Sequence, residues 1–116
     1  MKIIHYTDIE AKVFSGDAVK GVAGRVLIGQ ADGARNFCMR AFELAAGGYT
    51  LRHKHEWEHE IFVYQGEGSL FRDGEWIPIS SGNVVFIPPN EEHQMKNVGE
   101  TPFTFVCLIP SGAPEL

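Results

Sequence analysis

Short runs of β-branched, aromatic and aliphatic residues alternate with turn residues along the whole chain. Thirteen glycines and six prolines interrupt the sequence, and runs rich in Val, Ile, Phe, Tyr and Thr lie between them. Strands bounded by turn residues at this spacing are typical of sandwiches and barrels, so the pattern predicts an all-β chain. The predicted strands are 22–29, 36–44, 49–55, 60–65, 69–72, 75–79, 83–88, 93–97 and 103–109.

Three segments allow more specific predictions. Asp73-Gly74 predicts a type I′ hairpin, because that turn needs a positive φ at both central residues. Residues 103–109 are apolar at nearly every position, which predicts a central strand covered on both faces. Only residues 8–14 predict a helical turn.

Length and charge narrow the classes of function. A chain of 116 residues has the size of one domain, so we predict a single domain over 1–116. The net charge of -5 argues against a general affinity for nucleic acid or an anionic membrane. No apolar run approaches a membrane span, and no signal-peptide core follows the N-terminus. We therefore expect a cytoplasmic protein in which Cys38 and Cys107 stay reduced.

The segment RHKHEWEHEIFVYQG carries the most informative chemistry. Its histidines are His53, His55 and His59, three of the five in the chain. In a strand, His53 and His55 would point to one face, because side chains alternate with a period of two. Two imidazoles on one face form half of a zinc-like site. An HExxH metalloprotease motif over 55–59 would require a helix, which the strand-like flanks do not predict.

Residues 47–66 resemble the first sequence motif of the cupin family, Gly-x5-His-x-His-x3-4-Glu-x6-Gly. The matching positions are Gly47, His53, His55 and Gly66. His59 stands where the motif has its glutamate. The x4 spacing would admit Glu60 as the ligand or as a partner that orients an imidazole, but the spacing to Gly66 favours His59.

Residues 82–97 resemble the second cupin motif, Gly-x5-Pro-x-Gly-x2-His-x3-Asn. The matching positions are Gly82, Pro88, His93 and Asn97. Asn90 stands where the motif prefers glycine, and asparagine tolerates the left-handed region better than most residues. The two motifs together make the resemblance specific.

The resemblance implies a fold, a ligand set and an assembly. The fold is a double-stranded β-helix, the jelly-roll barrel of cupins, and small cupins usually form homodimers. The implied ligands of one divalent metal ion are His53, His55, His59 and His93. Small cupins with a similar run often use manganese, whereas imidazole ligands also suit iron, copper, nickel and zinc.

A barrel of this kind would hold its substrate beside the metal. Five residues are candidate pocket residues: Arg40, Phe42, Met95, Phe105 and Cys107. An inward Arg40 would need a carboxylate or an anionic substrate as its partner, and an outer salt bridge is the alternative. The leading hypothesis is a metal-dependent oxygenase or oxidase acting on a small aromatic or unsaturated molecule. The alternatives are a non-catalytic binding or sensing module and a metal-dependent isomerase or lyase.

Overall fold

Nine strands joined by short turns make up nearly all of the regular structure. The structure is a computed structural model that describes residues 1–116. The strands are β1 (Lys12–Phe14), β2 (Lys20–Ile28), β3 (Phe37–Tyr49), β4 (His59–Gln65), β5 (Glu67–Arg72), β6 (Glu75–Ser80), β7 (Val84–Ile87), β8 (Gln94–Asn97) and β9 (Phe103–Pro110). Two single 3-10 turns, Tyr6–Asp8 and Gln30–Asp32, are the helical elements. No helix is long and apolar enough to cross a membrane.

The strands form one curled antiparallel sheet with the architecture of a jelly-roll barrel. Its main path runs β6-β5-β8-β3-β9-β4-β7, and β2 pairs with both β3 and β1. The 13-residue strand β3 contacts three others, β2, β8 and β9, which lets one long strand join the two halves of the barrel. The predicted all-β jelly-roll class is therefore confirmed.

Alternation of apolar and polar side chains directs one face of each strand into the barrel. In β4, the side chains of His59, Ile61 and Val63 are buried, whereas those between them are exposed. The core cluster joins residues from nearly every strand: Val22, Cys38, Leu44, Ile61, Val63, Leu70, Ile79, Ile87, Met95, Phe103, Phe105, Cys107 and Ile109. This packing fixes the register that places His59 inside, because a slip of one residue would turn it outward.

Two local predictions are confirmed. Asp73 and Gly74 have φ values of 49° and 77°, and they connect β5 to β6 where Arg72 pairs with Glu75. The strand β9 lies between β3 and β4 and is largely buried, as expected for a run of apolar residues.

Two other predictions are wrong. The segment 8–14 ends in β1, which pairs with β2, and the nearby helical turn covers Tyr6–Asp8 instead. Tertiary pairing has overridden a weak local preference there. Of the predicted strand 49–55, only Tyr49 belongs to a strand. The following residues cross to β8 through single contacts, such as the bond from Thr50 N to the Met95 carbonyl (2.8 Å).

Candidate metal centre

Three separate segments bring four histidines together at one end of the barrel. His53 and His55 lie on the irregular segment between β3 and β4, His59 is the first residue of β4, and His93 immediately precedes β8. The backbones of His53 and His93 exchange two hydrogen bonds, of 3.1 and 2.9 Å. These bonds fix the two motif segments side by side without a continuous strand.

The imidazole rings converge on a common point. Ring centroids of neighbouring histidines lie 4.7–5.1 Å apart. The ligand atoms of His53, His55 and His93 all lie within 4.8 Å of one another. His59 Nε2 is 2.9 Å from His55 Nε2, which joins His59 to the same group.

Backbone carbonyls orient two of the rings. His55 Nδ1 lies 2.8 Å from the carbonyl of Trp57, and His93 Nδ1 lies 2.9 Å from the carbonyl of Glu91. Because a carbonyl only accepts, each Nδ1 carries the proton and each Nε2 offers its lone pair. The Trp57 indole stacks on the His55 ring at 4.0 Å with a 7° interplanar angle. Both rings are therefore held with a free nitrogen directed at the group.

Glu60 lies outside this group. Its side chain is exposed on the outer face of β4, where a hydrogen bond from the Glu58 carboxyl raises its pKa to about 6. No hydrogen bond or ion pair joins Glu60 to an imidazole. The carbonyls of Trp57 and Glu91, and not Glu60, contact Nδ1 of His55 and of His93.

His59 has a different neighbourhood. Its Nδ1 lies 3.1 Å from Cys107 Sγ and 3.5 Å from Arg40 Nη2. Arg40 Nη2 also donates to Cys107 Sγ, at 3.1 Å. The three side chains are buried, on β4, β9 and β3 respectively. Burial raises the pKa of the Cys107 thiol, and the guanidinium opposes that rise.

Loss of water contact at the ring nitrogens favours the neutral form of the four imidazoles at physiological pH; as whole residues His59 and His93 are buried, His55 is half-buried and His53 is exposed. This desolvation lowers the pKa of His59 to about 3, with Arg40 as the second cause, and the pKa of His53 to about 4. Burial also lowers the pKa of His55 and His93. Because a metal binds the neutral imidazole, a cluster held in that form suits a divalent transition metal.

A cavity of about 260 Å³ opens onto the histidines. Its lining is mostly apolar and contains no Asp or Glu: Phe14, Val19, Val22, Arg40, Phe42, Thr50, Leu51, His53, His59, Ile61, Ile87, His93, Met95, Phe105 and Cys107. Phe42 and Phe105 stack at 5.5 Å. The volume lies just below the roughly 300–1,000 Å³ typical of drug-sized ligands, so the cavity fits a smaller molecule.

The structure places all five candidate pocket residues in this lining, and it adds others that the sequence analysis missed. Phe14 and Val19 come from the N-terminal segment, and Leu51 comes from the segment that leaves β3. The sequence feature that indicates an inward position for Phe14 is the short apolar run before Gly16. The contact of Trp57 with His55 had no signal beyond their nearness in sequence.

The chain belongs to the cupin family. The family model described as "Cupin domain" matches residues 40–109, more than half of the chain. This region contains the four histidines and most of the cavity lining.

Curated relatives of differing function match a little more than half of the chain. The oxalate-binding protein of Thermotoga maritima is 37% identical over 68 residues, covering 58% of this chain and 56% of that protein. The glucose-6-phosphate isomerase of Pyrococcus abyssi is 34% identical over 73 residues, covering 56% and 39%. The chain thus spans about half, or less, of the length of these relatives.

Solved structures resemble the chain over nearly its whole length. The polyketide cyclase RemF from Streptomyces resistomycificus has a TM-score of 0.91 and 33% identity, covering 98% of this chain and 82% of that one. A protein from Thermotoga maritima described as a predicted oxalate decarboxylase has a TM-score of 0.83 and 28% identity, covering 95% and 99%.

Proposed function

We propose that this cupin binds one divalent transition-metal ion and acts on a small, largely apolar carbonyl compound in its cavity. Four neutral imidazoles with inward nitrogens support the metal, and His53, His55, His59 and His93 would hold it. The ion, when bound, supplies Lewis acidity toward a substrate carbonyl. Manganese is the candidate that the resemblance to small cupins favours, and iron, copper, nickel and zinc remain compatible with the ligands.

Metal binding is tested by elemental analysis of untagged protein, with His55→Ala and His93→Ala as variants. We expect one metal equivalent per chain in the parent protein and at least about a tenfold loss of affinity in each variant. His5→Ala is the matched control, because His5 caps the N-terminal 3-10 turn, outside the cluster. Unchanged metal content in both cluster variants would reject this site.

We infer that the reaction is a redox-neutral ring closure like that of a polyketide cyclase. The observation that carries this inference is the similarity to RemF over nearly the whole chain. The cavity supports it, because the stacked rings of Phe42 and Phe105 offer a flat apolar wall to an unsaturated or aromatic substrate. The apolar lining would exclude water, and Arg40 would place a cation beside a developing negative oxygen.

An oxygenase or oxidase is the second candidate. The cavity lining contains no carboxylate, and its imidazoles would be engaged by the metal, so no lining side chain is left free as a conventional general base for a proton-transfer reaction. A reaction in which dioxygen oxidises the substrate depends less on a general base. A purely binding function is the third candidate, and the similarity to an oxalate-binding protein supports it.

One experiment separates these functions. Metal-loaded protein is incubated with aromatic, enolic and linear polycarbonyl compounds, with and without dioxygen, and products are identified by mass spectrometry. Loss of one water without dioxygen supports ring closure. Incorporation of labelled oxygen would replace the cyclase with the oxygenase. If a compound binds and changes the metal spectrum but is not converted, the result supports the purely binding function.

A further inference from the structure

Arg40 brings a positive charge to the cavity wall without any acidic partner. Its side chain is only 7% exposed, on the inner face of β3. No Asp or Glu lines the cavity, and the single ion pair of the structure joins Lys2 to Asp32 elsewhere. A buried charge without a counter-charge is costly, so the position calls for an explanation.

Neutral groups accept hydrogen bonds from only some of the N–H donors of the Arg40 guanidinium. Nη1 donates to the Glu115 carbonyl at 3.3 Å, and Nη2 donates to Cys107 Sγ at 3.1 Å. Sulfur is a weak acceptor. Nε is buried and has no hydrogen-bond partner. The Phe42 ring lies 4.9 Å from the guanidinium carbon, which orients the cation but does not neutralise it.

The cavity would become more positive when the proposed metal binds. Four neutral imidazoles leave the charge of a divalent ion uncompensated, and His59 is already within 3.5 Å of the guanidinium. Both charges would face a space lined mainly by apolar groups, where electrostatic attraction is stronger than in water. An anionic ligand would balance them, and a neutral ligand would not.

We propose that Arg40 is the anion-recognition residue of this cavity and that the natural substrate or ligand carries a carboxylate. The carboxylate pairs with the guanidinium, and the apolar remainder of the molecule packs against Phe42 and Phe105. This inference rests on the proposed function in taking the cavity as the ligand site, and the charge of the proposed metal adds to it. It narrows the substrate class to small apolar acids.

Binding of matched ligands tests the proposal. Cinnamate and cinnamamide have nearly the same shape but differ in charge, and their affinities are measured by calorimetry. We expect the parent protein to prefer cinnamate by about tenfold or more, because hydrogen bonds to a charged partner are roughly twice as strong as neutral ones. In Arg40→Gln the preference falls to within about twofold, while cinnamamide binding changes little.

Two control variants make the result specific. Arg25→Gln removes another arginine, one that donates to the Ile9 carbonyl, and should keep the preference. Arg40→Lys should keep part of it. A preference unchanged in Arg40→Gln, or absent from the parent protein, would overturn the proposal.

Thermal unfolding separates recognition from a structural role. Without ligand, Arg40→Met should unfold at the same or a higher temperature than the parent protein, because it removes an unpaired buried charge. A clear decrease would show that Arg40 is structural and would count against the proposal.

The metal-deficient variant His93→Ala separates this inference from the proposed function. If the cavity binds no metal, the parent protein and His93→Ala should both prefer cinnamate, and this preference should still depend on Arg40. If the metal alone attracts the carboxylate, His93→Ala abolishes the preference and the role of Arg40 is rejected.

Discussion

Cys107 occupies the position at which many metal-binding histidines contact a carbonyl or a carboxylate. His59 Nε2 lies 2.9 Å from His55 Nε2, among the nitrogens that would hold the ion. A metal would need the lone pair of that nitrogen. The His59 proton would then lie on Nδ1, 3.1 Å from Cys107 Sγ. Cys107 is thus the acceptor that stabilises the metal-binding tautomer.

Replacing Cys107 should therefore weaken metal binding. We expect Cys107→Ala to lower metal affinity about tenfold, since outer partners of this kind contribute roughly 10–100-fold. Cys107→Ser should restore most of the affinity, because its hydroxyl also accepts. Competition with a chelating dye measures these affinities.

Cys38→Ala is the matched control for this measurement. Cys38 is also a buried cysteine, and its side chain has no hydrogen bond to a histidine. Burial raises the pKa of its thiol to about 11, which keeps the thiol protonated at neutral pH. Equal losses of affinity in Cys38→Ala and Cys107→Ala would show a general effect of core packing and contradict the tautomer argument.

At the scale of elements, the turn before β8 positions His55. Asn90 adopts a left-handed conformation with φ of 64°, and its backbone N donates to the His55 carbonyl at 2.7 Å. Asparagine therefore does here what glycine does in the motif. This turn links the second motif to a ligand candidate of the first.

Substitutions at Asn90 should separate the backbone requirement from side-chain chemistry. Asn90→Gly should fold with little change, whereas Asn90→Val should lose about 1–2 kcal/mol of stability and bind metal more weakly, because a β-branched residue resists this conformation. Asp73→Val provides the comparison: φ is 49° there, but the turn is the distant β5–β6 hairpin. Urea unfolding and metal titration measure both effects. Normal metal binding by a destabilised Asn90→Val would contradict the link.

The strands were predictable because each buries one regular face. The predicted runs at 60–65 and 103–109 match β4 and β9 closely, and the alternation in β4 also indicated that His59 points inward. The segment 49–55 misled the prediction because His53-x-His55 has the period of a strand. Its backbone instead bonds to β8 and to His93 across the barrel, and local sequence does not encode such long-range contacts.

The environment of Arg40 could be predicted only in part. The period of two in a strand puts Cys38, Arg40 and Phe42 on one face, and the structure places that face inward. The sequence left open whether a carboxylate pairs with Arg40. That answer depends on which strands surround β3, and only the assembled barrel shows that none of them brings an acid.

At the scale of the whole molecule, the histidine cluster makes stability depend on pH. The pKa of His59 is lowered to about 3 and that of His53 to about 4, from 6.5. Between the lowered pKa values and 6.5, the unfolded chain therefore binds more protons than the folded chain. Stability of the metal-free protein should be full above pH 6.5 and decline as the pH falls toward 4.

Urea unfolding in a chelator at several pH values tests this dependence. Glu60 opposes the trend, because its raised pKa makes the folded state bind the extra proton, so Glu60→Gln should steepen the decline. His59→Gln should make it shallower. A stability that stays constant between pH 7 and pH 4 would contradict the account.

The homodimer remains a prediction, and the outer surface suggests where it would form. Phe62, Tyr64, Val84 and Phe86 are 49–77% exposed on neighbouring strands, and β7 is an edge strand with unpaired backbone groups. Pairing with a second copy would cover both features. Sedimentation equilibrium should show a dimer for the parent protein and a monomer for Phe86→Glu.

Phe37→Glu tests whether this surface is specific, since Phe37 is also exposed but lies at the start of β3. It should remain dimeric. A stable monomer of the parent protein at micromolar concentration would reject the dimer.

The paired backbones of His53 and His93 also bear on the order of folding and ion uptake. They close a long loop of the chain through backbone hydrogen bonds, so we expect the entropy cost of closing this loop to be met during folding rather than by the ion. The ligands are preorganised, unlike those of small domains that fold only around their metal. We therefore expect ion uptake to follow folding, with association rates that do not depend on refolding and a barrel that survives repeated removal and replacement of the ion.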